Sequence, residues 1–294
     1  MAQTGRKLLI GLVGAGIQQS LSPAMHEEEA RRQGLRLHYQ LIDLDRTCAS
    51  AADLPMLLGA ARLMDFAGLN ITFPCKQAVV PLLDELSESA AEMGAVNTVV
   101  IRGGRLIGEN TDGWGWAWGF RRALPHADLA CPVLVGAGGA GSAIAWSVVR
   151  MGASRLRIVD QDLRRAQTLA AALRQKAEVP VETFADVADA LEGATGLIHA
   201  TPTGMAKMPG SAVPAALLRP PLWVAEVVYF PLETELIRTA RQQGCTTLDG
   251  GTMAVGQAIK AFALFTGQEA DPVRMESHFR GLCRATHGAG PRGS

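Results

Sequence analysis

Cys131-Pro132-Val133-Leu134-Val135-Gly136-Ala137-Gly138-Gly139-Ala140-Gly141 is the stretch that decides the fold. Residues 131–135 form a short apolar run of the kind that makes a buried strand. Gly136 to Gly141 then fit the pattern G-x-G-x-x-G, and residues 142–150 carry helical periodicity. Strand, glycine turn and helix in that order meet the context test for a dinucleotide-binding turn. The glycines permit a tight bend and close approach of the backbone to a pyrophosphate at the helix N-terminus. Gly136, Gly138, Gly139, Ala140 and Gly141 are therefore the candidate cofactor contacts. The alternative is a plain glycine turn between packed elements.

The next strand, Leu156-Arg157-Ile158-Val159, closes on Asp160, nineteen residues beyond Gly141 and close to where an acid meets the adenosine ribose. A carboxylate there accepts the ribose hydroxyls and repels a 2′-phosphate. Two unit charges ~4 Å apart at an effective dielectric of ~20 interact by about 4 kcal/mol, and exposure weakens this. The reading is NAD rather than NADP. Three alternatives stay open: Asp160 caps the following helix, Asp162 is the ribose ligand, or Arg164 and Arg165 rescue NADP binding. Gly14-Ala15-Gly16 looks similar but has Gln19 at the third glycine position, and no acid closes the next strand at the expected distance. It reads as a turn passing close to a ligand.

Outward from the fingerprint, strands near 132–136, 155–159, 196–200, 222–227 and 245–248 alternate with helices near 139–151, 163–174, 186–191 and 232–243. This predicts a doubly wound, Rossmann-type parallel sheet with helices on both faces. Upstream, strands are expected at 7–13, 36–43, 66–72, 96–101 and 105–109, with helices at 23–33, 50–62 and 76–88. Arg102-Gly103-Gly104 marks a hairpin turn. The segments 114–124 and 253–266 read as connectors. The expected architecture is α/β with two domains: a discontinuous substrate domain, 1–113 plus 250–294, and a nucleotide-binding domain, 114–249, with a cleft between them.

The 294 residues contain 28 Lys+Arg and 28 Asp+Glu, so no net basic field recruits nucleic acid or an anionic membrane. A hydrophobic share of 48% with 19% charged residues suits a folded globular chain rather than a disordered one. Five scattered cysteines without a C-x-x-C pair argue for reduced thiols in a cytoplasmic protein. No His/Cys spacing suits a metal, and no apolar run approaches the ~20 residues of a membrane span. Arg6-Lys7 before an apolar run mimics a secretory signal, but Ser20-Leu21-Ser22-Pro23 opens an amphipathic helix and belongs to the fold. The tail from His287 reads as disordered. Trp114, Trp116 and Trp118 read as helix packing rather than a base-stacking platform. His199, ending a strand, reads as packed.

Lys76 stands directly after Pro74-Cys75, in the first turn of a helix, where a cation opposes the helix dipole. Alone it reads as a solvent-exposed lysine. Its surroundings are neutral hydrogen-bonding residues at strand ends: Ser20, Ser22, Asn70, Thr72 and Asn97, with Asp112 closing a hairpin strand. Here the motifs Ser20-Leu21-Ser22-Pro23-Ala24-Met25-His26, Asn70-Ile71-Thr72-Phe73-Pro74-Cys75-Lys76, Ala95-Val96-Asn97-Thr98 and Asn110-Thr111-Asp112-Gly113 resemble the shikimate/quinate dehydrogenase family. The glycine fingerprint follows, then Ala200-Thr201-Pro202-Thr203-Gly204-Met205, Val228-Tyr229-Phe230-Pro231 and Met253-Ala254-Val255-Gly256-Gln257. The order agrees over nearly the whole chain.

The resemblance implies reversible hydride transfer between the C3 ring hydroxyl of quinate or shikimate and a nicotinamide, giving 3-dehydroquinate or 3-dehydroshikimate. Lys76 and Asp112 would be the catalytic pair, Lys76 exchanging the hydroxyl proton. Ser20 and Ser22 would hold the substrate carboxylate, and Asn97, Thr72 and Gln257 its hydroxyls, with Asn70 beside them. Tyr229 would line the cleft, and Thr201, Val228 and Gly250 would approach the cofactor. Isolated Ser, Thr or Asn residues otherwise serve as turns and caps. The partner implied is a small hydroxylated cyclohexane or cyclohexene carboxylate, and a homodimer is the assembly to test.

Two departures narrow the branch. The family's common His-Asn is His26-Glu27, and its Asn-Arg-Thr after the second nucleotide-domain strand is Asp160-Gln161-Asp162. The latter resembles the NAD-using, catabolic quinate/shikimate branch, as does the run from Gly250 to Gln257. The alternatives are an NADP-dependent biosynthetic shikimate dehydrogenase, an aminoshikimate dehydrogenase and a non-catalytic ring-acid sensor. Retention of both Lys76 and Asp112 speaks against the sensor.

Overall fold

The computed structural model describes residues 7–288. This chain divides into two compact units, the first running to Thr111 and resuming at Gln257, the second spanning Asp112–Gly256.

The first unit contains β1 (Lys7–Gly14), α1 (Ser22–Arg32), β2 (Arg36–Asp43), α2 (Leu44–Thr47), α3 (Leu54–Leu63), β3 (Phe66–Ile71), α4 (Cys75–Ala78), β4 (Glu85–Leu86), α5 (Glu88–Met93), β5 (Thr98–Arg102) and β6 (Arg105–Glu109). Its sheet runs β2-β1-β3-β5-β6-β4. The β1 pairings with β2 and β3 are parallel, whereas β3/β5 and β5/β6 are antiparallel. The apolar run at the N-terminus is thus a central strand, with Ile10 and Val13 fully buried. The hairpin turns at Gly103 and Gly104, both at positive φ, with Arg102 opposite Arg105. The helix expected over 76–88 breaks into α4, a 3-10 turn at Val80–Leu82, the short β4 and α5. Pro81 lacks the N–H that an uninterrupted helix needs at that point.

α6 (Thr111–Ala123) leads into the second unit, which continues with β7 (Pro132–Val135), α7 (Gly139–Arg150), β8 (Leu156–Val159), α8 (Leu163–Lys176), β9 (Val181–Phe184), α9 (Val187–Leu191), β10 (Gly196–His199), β11 (Trp223–Glu226), α10 (Glu235–Gln242) and β12 (Thr246–Leu248). The strand order β12-β11-β10-β7-β8-β9 is parallel at every pairing. Successive strands go outward from β7 on one side and then on the other, so the order reverses between β7 and β10. Open sheets of this kind bind ligands at the carboxyl ends of the strands flanking that reversal. β9 was not expected from sequence: it is a four-residue edge strand with only Val181 fully buried.

α11 (Gly251–Thr266) returns to the first unit, and α12 (Pro272–Gly288) packs on α1, where Arg274 pairs with the buried Glu29. The tail expected to be disordered lies, beyond Gly288, outside the described residues. On α6, Trp116 is buried and stacks on Phe120, which meets the edge of Trp223. Trp114 instead stacks on Trp118 and stays 41% exposed, so only one of the three indoles is core. All five cysteines are free, and burial pushes the Cys75 and Cys245 thiols up, which makes them poor nucleophiles.

Candidate active site

In the first unit the site is built where β1 and β3 end. Thr72 donates its N–H to the Val13 carbonyl and Ala15 donates to that of Phe73, so the turn after β1 lies against the start of the Thr72-Phe73-Pro74 run. Lys76 follows within α4, half-buried, its carbonyl accepting the Val96 N–H. Ser20 and Ser22 are half-buried at the entry to α1, and the Ser20 hydroxyl accepts the Ser22 N–H. Leu21, at the N-cap of α1, caps with no side chain, the Ser22 N–H is taken by Ser20 and Pro23 has none, so the two serine hydroxyls are the polar groups this corner presents. The position where the family carries Asn is Glu27, which accepts the Tyr39 N–H of β2.

Asn70 and Asn97 are buried and bonded to one another's neighbourhood. Asn70 accepts from the Tyr39 hydroxyl at 2.8 Å and donates to Thr98 Oγ1 and the Asn97 carbonyl. Both of its amide hydrogens are therefore used within the protein. Asn97 Oδ1 accepts the Thr111 N–H at 2.8 Å, and Nδ2 donates to Thr111 Oγ1. This fixes the residue immediately before Asp112, which is buried in the first turn of α6, where a carboxylate is favoured by the helix dipole. Tyr39, Thr98 and Thr111 were not singled out from sequence; the Thr that follows Asn97 and the Thr that precedes Asp112 were the available signal. Gln257 is half-buried on α11.

In the second unit the glycines divide their work. Gly136 has φ +106° and its missing Cβ would stand 2.7 Å from the Ala200 carbonyl oxygen, so the turn needs glycine on both counts. At Gly141 a Cβ would meet the Gly136 oxygen at 1.8 Å, which is the close helix–strand packing of the fingerprint. At Gly138 and Gly139 a Cβ would meet nothing within 4 Å. Those two face open space, at the N-terminus of a twelve-residue helix that no side chain caps. Ala140 follows in its first turn. This cradle fits a dinucleotide pyrophosphate.

Asp160 sits half-buried at the end of β8 and bonds with both oxygens: Ala137 N–H donates at 2.7 Å and Asp162 N–H at 2.9 Å. Asp162 is the residue that caps α8, accepting the Arg164 N–H, and Asp162, Arg164 and Arg165 are all exposed. Gly250 is buried, and a Cβ there would lie 2.4 Å from the Val227 and Val228 oxygens. Val228 is buried and Tyr229 is 39% exposed. Thr201 follows β10, its Cγ2 2.9 Å from the Gly136 Cβ position. Sequence reasoning passed over Glu226, an acid closing the buried strand Trp223-Val224-Ala225-Glu226, although an acid so placed demands a partner. Among the described residues, no group of three His, Cys, Asp or Glu side chains is placed to hold a metal, and no helix is long and apolar enough to cross a membrane.

Known proteins match this arrangement along its length. The shikimate dehydrogenase substrate binding domain family matches residues 12–99. A shikimate dehydrogenase (NADP(+)) of Streptomyces avermitilis is 54% identical, over 91% of this chain and 93% of its own. A quinate/shikimate dehydrogenase (NAD(+)) of Corynebacterium efficiens is 48% identical, over 94% and 98%. This chain belongs to the shikimate/quinate dehydrogenase family. The family's members are oxidoreductases, and so is this protein. Among solved structures, quinate dehydrogenase from Corynebacterium glutamicum in complex with NAD superposes with a TM-score of 0.89 at 46% identity, covering 94% of this chain and 99% of that one. The cofactors named for these two relatives divide between NADP, at 54% identity, and NAD, at 48%, so identity alone does not choose between them.

Proposed function

We propose that this chain is a quinate/shikimate dehydrogenase that prefers NAD, with Lys76 and Asp112 as its catalytic pair. The observation that carries the cofactor choice is Asp160: its carboxylate is fixed at the glycine turn by two backbone N–H groups. Each oxygen keeps acceptor capacity for a ribose hydroxyl, and a carboxylate beside the ribose would repel a 2′-phosphate. The domain roles follow: the first unit takes the ring acid, the second the dinucleotide.

When bound, the nicotinamide ring accepts or returns the hydride. In oxidation Lys76 takes the ring hydroxyl proton as the carbinol carbon gives up its hydride; in reduction it returns that proton to the carbonyl oxygen. Asp112 orients the ammonium group and accepts from the substrate. Ser20 and Ser22 receive the carboxylate, while Thr72, Asn97 and Gln257 meet ring hydroxyls and Tyr229 borders the ring. Asn70 stands beside them, its amide donating to the Asn97 carbonyl and Thr98 Oγ1. Matching hydroxyls to fixed buried groups discriminates polyols because each unmatched polar group costs about 1–3 kcal/mol.

One observation favours NADP instead: Arg164 and Arg165 are exposed in the first turn of α8, two cations close behind Asp160. Initial rates with quinate and shikimate, each with NAD and NADP, decide between the readings. Turnover with NAD and little with NADP is expected. Asp160→Asn keeps an oxygen for the Ala137 N–H while removing the charge. It should lower the NAD-over-NADP ratio of kcat/KM by at least about tenfold, the equivalent of ~1.4 kcal/mol. An unchanged ratio would place the discriminating contact elsewhere, and a wild-type preference for NADP would overturn the assignment.

A further inference from the structure

The second unit carries a buried acid–base pair that the hydride-transfer reading leaves without a task. His199 closes β10 and Glu226 closes β11, opposite one another in register, with side chains 1% and 0% exposed. His199 Nδ1 lies 2.9 Å from Glu226 Oε1, and since a carboxylate only accepts, the ring N–H donates. The same oxygen accepts the backbone N–H groups of Val227 at 2.8 Å and Val228 at 3.0 Å. Oε2 accepts the Thr234 hydroxyl, whose oxygen in turn caps α10 by accepting the Ile237 N–H. On the other side of the ring, Nε2 is hydrogen-bonded to Thr201 Oγ1, which also accepts the Thr203 N–H.

One carboxylate thus ties together the chain leaving β10, the chain leaving β11 and the start of α10. Both departing segments press on backbone that must approach closely: Ala200 and Thr201 against Gly136, Val227 and Val228 against Gly250. If stability were all that was needed here, apolar residues of the same volume would serve as well or better, because a buried hydrogen-bonded polar pair gains little over them. What apolar residues cannot do is fix the rotation of a hydroxyl and the direction of two backbone N–H groups at the carboxyl ends of β10 and β11, where this fold binds ligands.

We propose that His199 and Glu226 are positioning residues for the dinucleotide, acting through the Thr201 hydroxyl and the Val227–Val228 backbone. The proposal rests on the functional reading above, in which the second unit takes the dinucleotide, and on the approach of Thr201 and Val228 to the cofactor that the family resemblance implies. His199→Asn keeps a donor toward Glu226 but cannot span to Thr201, so it uncouples the hydroxyl from the pair.

The test is titration of NADH, followed by nicotinamide fluorescence, into the wild type, His199→Asn, Thr201→Val and the double variant, with thermal unfolding of each alongside. His199→Asn should raise the NADH dissociation constant about tenfold, the loss of roughly one oriented hydrogen bond. The double variant should bind no worse than Thr201→Val alone, because the histidine acts through that hydroxyl. Wild-type affinity in His199→Asn, or penalties that add in the double variant, overturns the proposal. Should His199→Asn fail to fold, Thr234→Val replaces it: it removes one donor to Glu226, and an NADH affinity equal to the wild type's overturns the proposal in the same way. A wild-type protein that binds neither NADH nor NADPH brings down the functional reading together with the proposal. Wild-type binding with an unaffected variant brings down the positioning role alone.

Discussion

The two units each carry a glycine-containing turn after a parallel strand, and an aspartate at the end of the next strand holds each one. In the first, Gly16 N–H donates to Asp43 Oδ1; in the second, Ala137 N–H donates to Asp160 Oδ2. The likeness ends at the space in front. Asp43 also takes the Gln18 side chain and the Asp45 N–H, and these bonds, the Gln18 amide foremost, hold its carboxyl below the usual range. Gly14 is packed so closely that a Cβ would stand 2.2 Å from Thr72 Cγ2. Gly138 and Gly139 face nothing of the protein within 4 Å, and a twelve-residue helix starts there at once. The same local device therefore closes a turn on its own chain in one unit and leaves a backbone surface open to a ligand in the other.

The largest effect should come from the proposed catalytic pair. Lys76→Ala and Asp112→Asn should each lower kcat by about 10²–10⁴, the usual share of general acid–base catalysis, with the thermal midpoint little changed. Initial rates and thermal unfolding on the same preparations check this; folded variants of both kinds that turn over normally would remove the catalytic pair.

The contrast between the turns is broken or sharpened by one pair of substitutions. Gly138 has φ −77° and ψ −168°, a conformation alanine adopts, and its Cβ would point into open space. Gly138→Ala should leave stability within about 0.5 kcal/mol while weakening dinucleotide binding at least about tenfold. Gly14→Ala should do the reverse: overpacking against Thr72 and the Phe73 carbonyl should cost about 1–3 kcal/mol of stability, with dinucleotide affinity unchanged. Urea denaturation and NADH titration on both variants separate the two. Matching behaviour in both assays would mean that the second turn is as closed as the first.

How far each turn was legible follows from how local its determinants are. The fingerprint is a backbone requirement at fixed spacing, so Gly136, Gly138 and Gly141 announce strand, turn and helix together. The hairpin at Gly103-Gly104 is equally local. Asp43 was missed because it is sought by distance, and the extra chain between Gly16 and α1 moves it beyond the expected spacing. The first turn was accordingly read as a pass close to a ligand, whereas its tight approach is to Thr72 and Phe73 of its own unit. Candidate residues in the first unit were legible as motifs, but not their partners: Asn70 and Asn97 look alike in sequence, and the structure bonds the former to Tyr39 and Thr98 and the latter to Thr111. The His199–Glu226 pair was invisible for the same reason, since neither residue predicts that strands 27 positions apart lie side by side in register.

The two histidines buried among the described residues repeat the contrast on a smaller scale. His199 has partners at both ring nitrogens, whereas His26 donates from Nδ1 to the Ser22 carbonyl and its buried Nε2 has none. Its ring is packed among Tyr39, Phe262 and Phe265, and burial lowers its pKa to about 4, against the weaker opposing pull of the Ser22 carbonyl. The unfolded chain, with a histidine near 6.5, then binds the proton that the folded one refuses. Stability should be unaffected by this group above pH 6.5 and should fall as the pH drops toward 4, by up to about 1.4 kcal/mol per unit. His26→Phe keeps a ring in the aromatic cluster and removes the titration. Urea denaturation between pH 7 and 5 should therefore give a shallower acid slope for the variant by up to one proton, whatever its absolute stability. Parallel slopes would mean that His26 takes up its proton in the folded protein, and that a partner reaches Nε2.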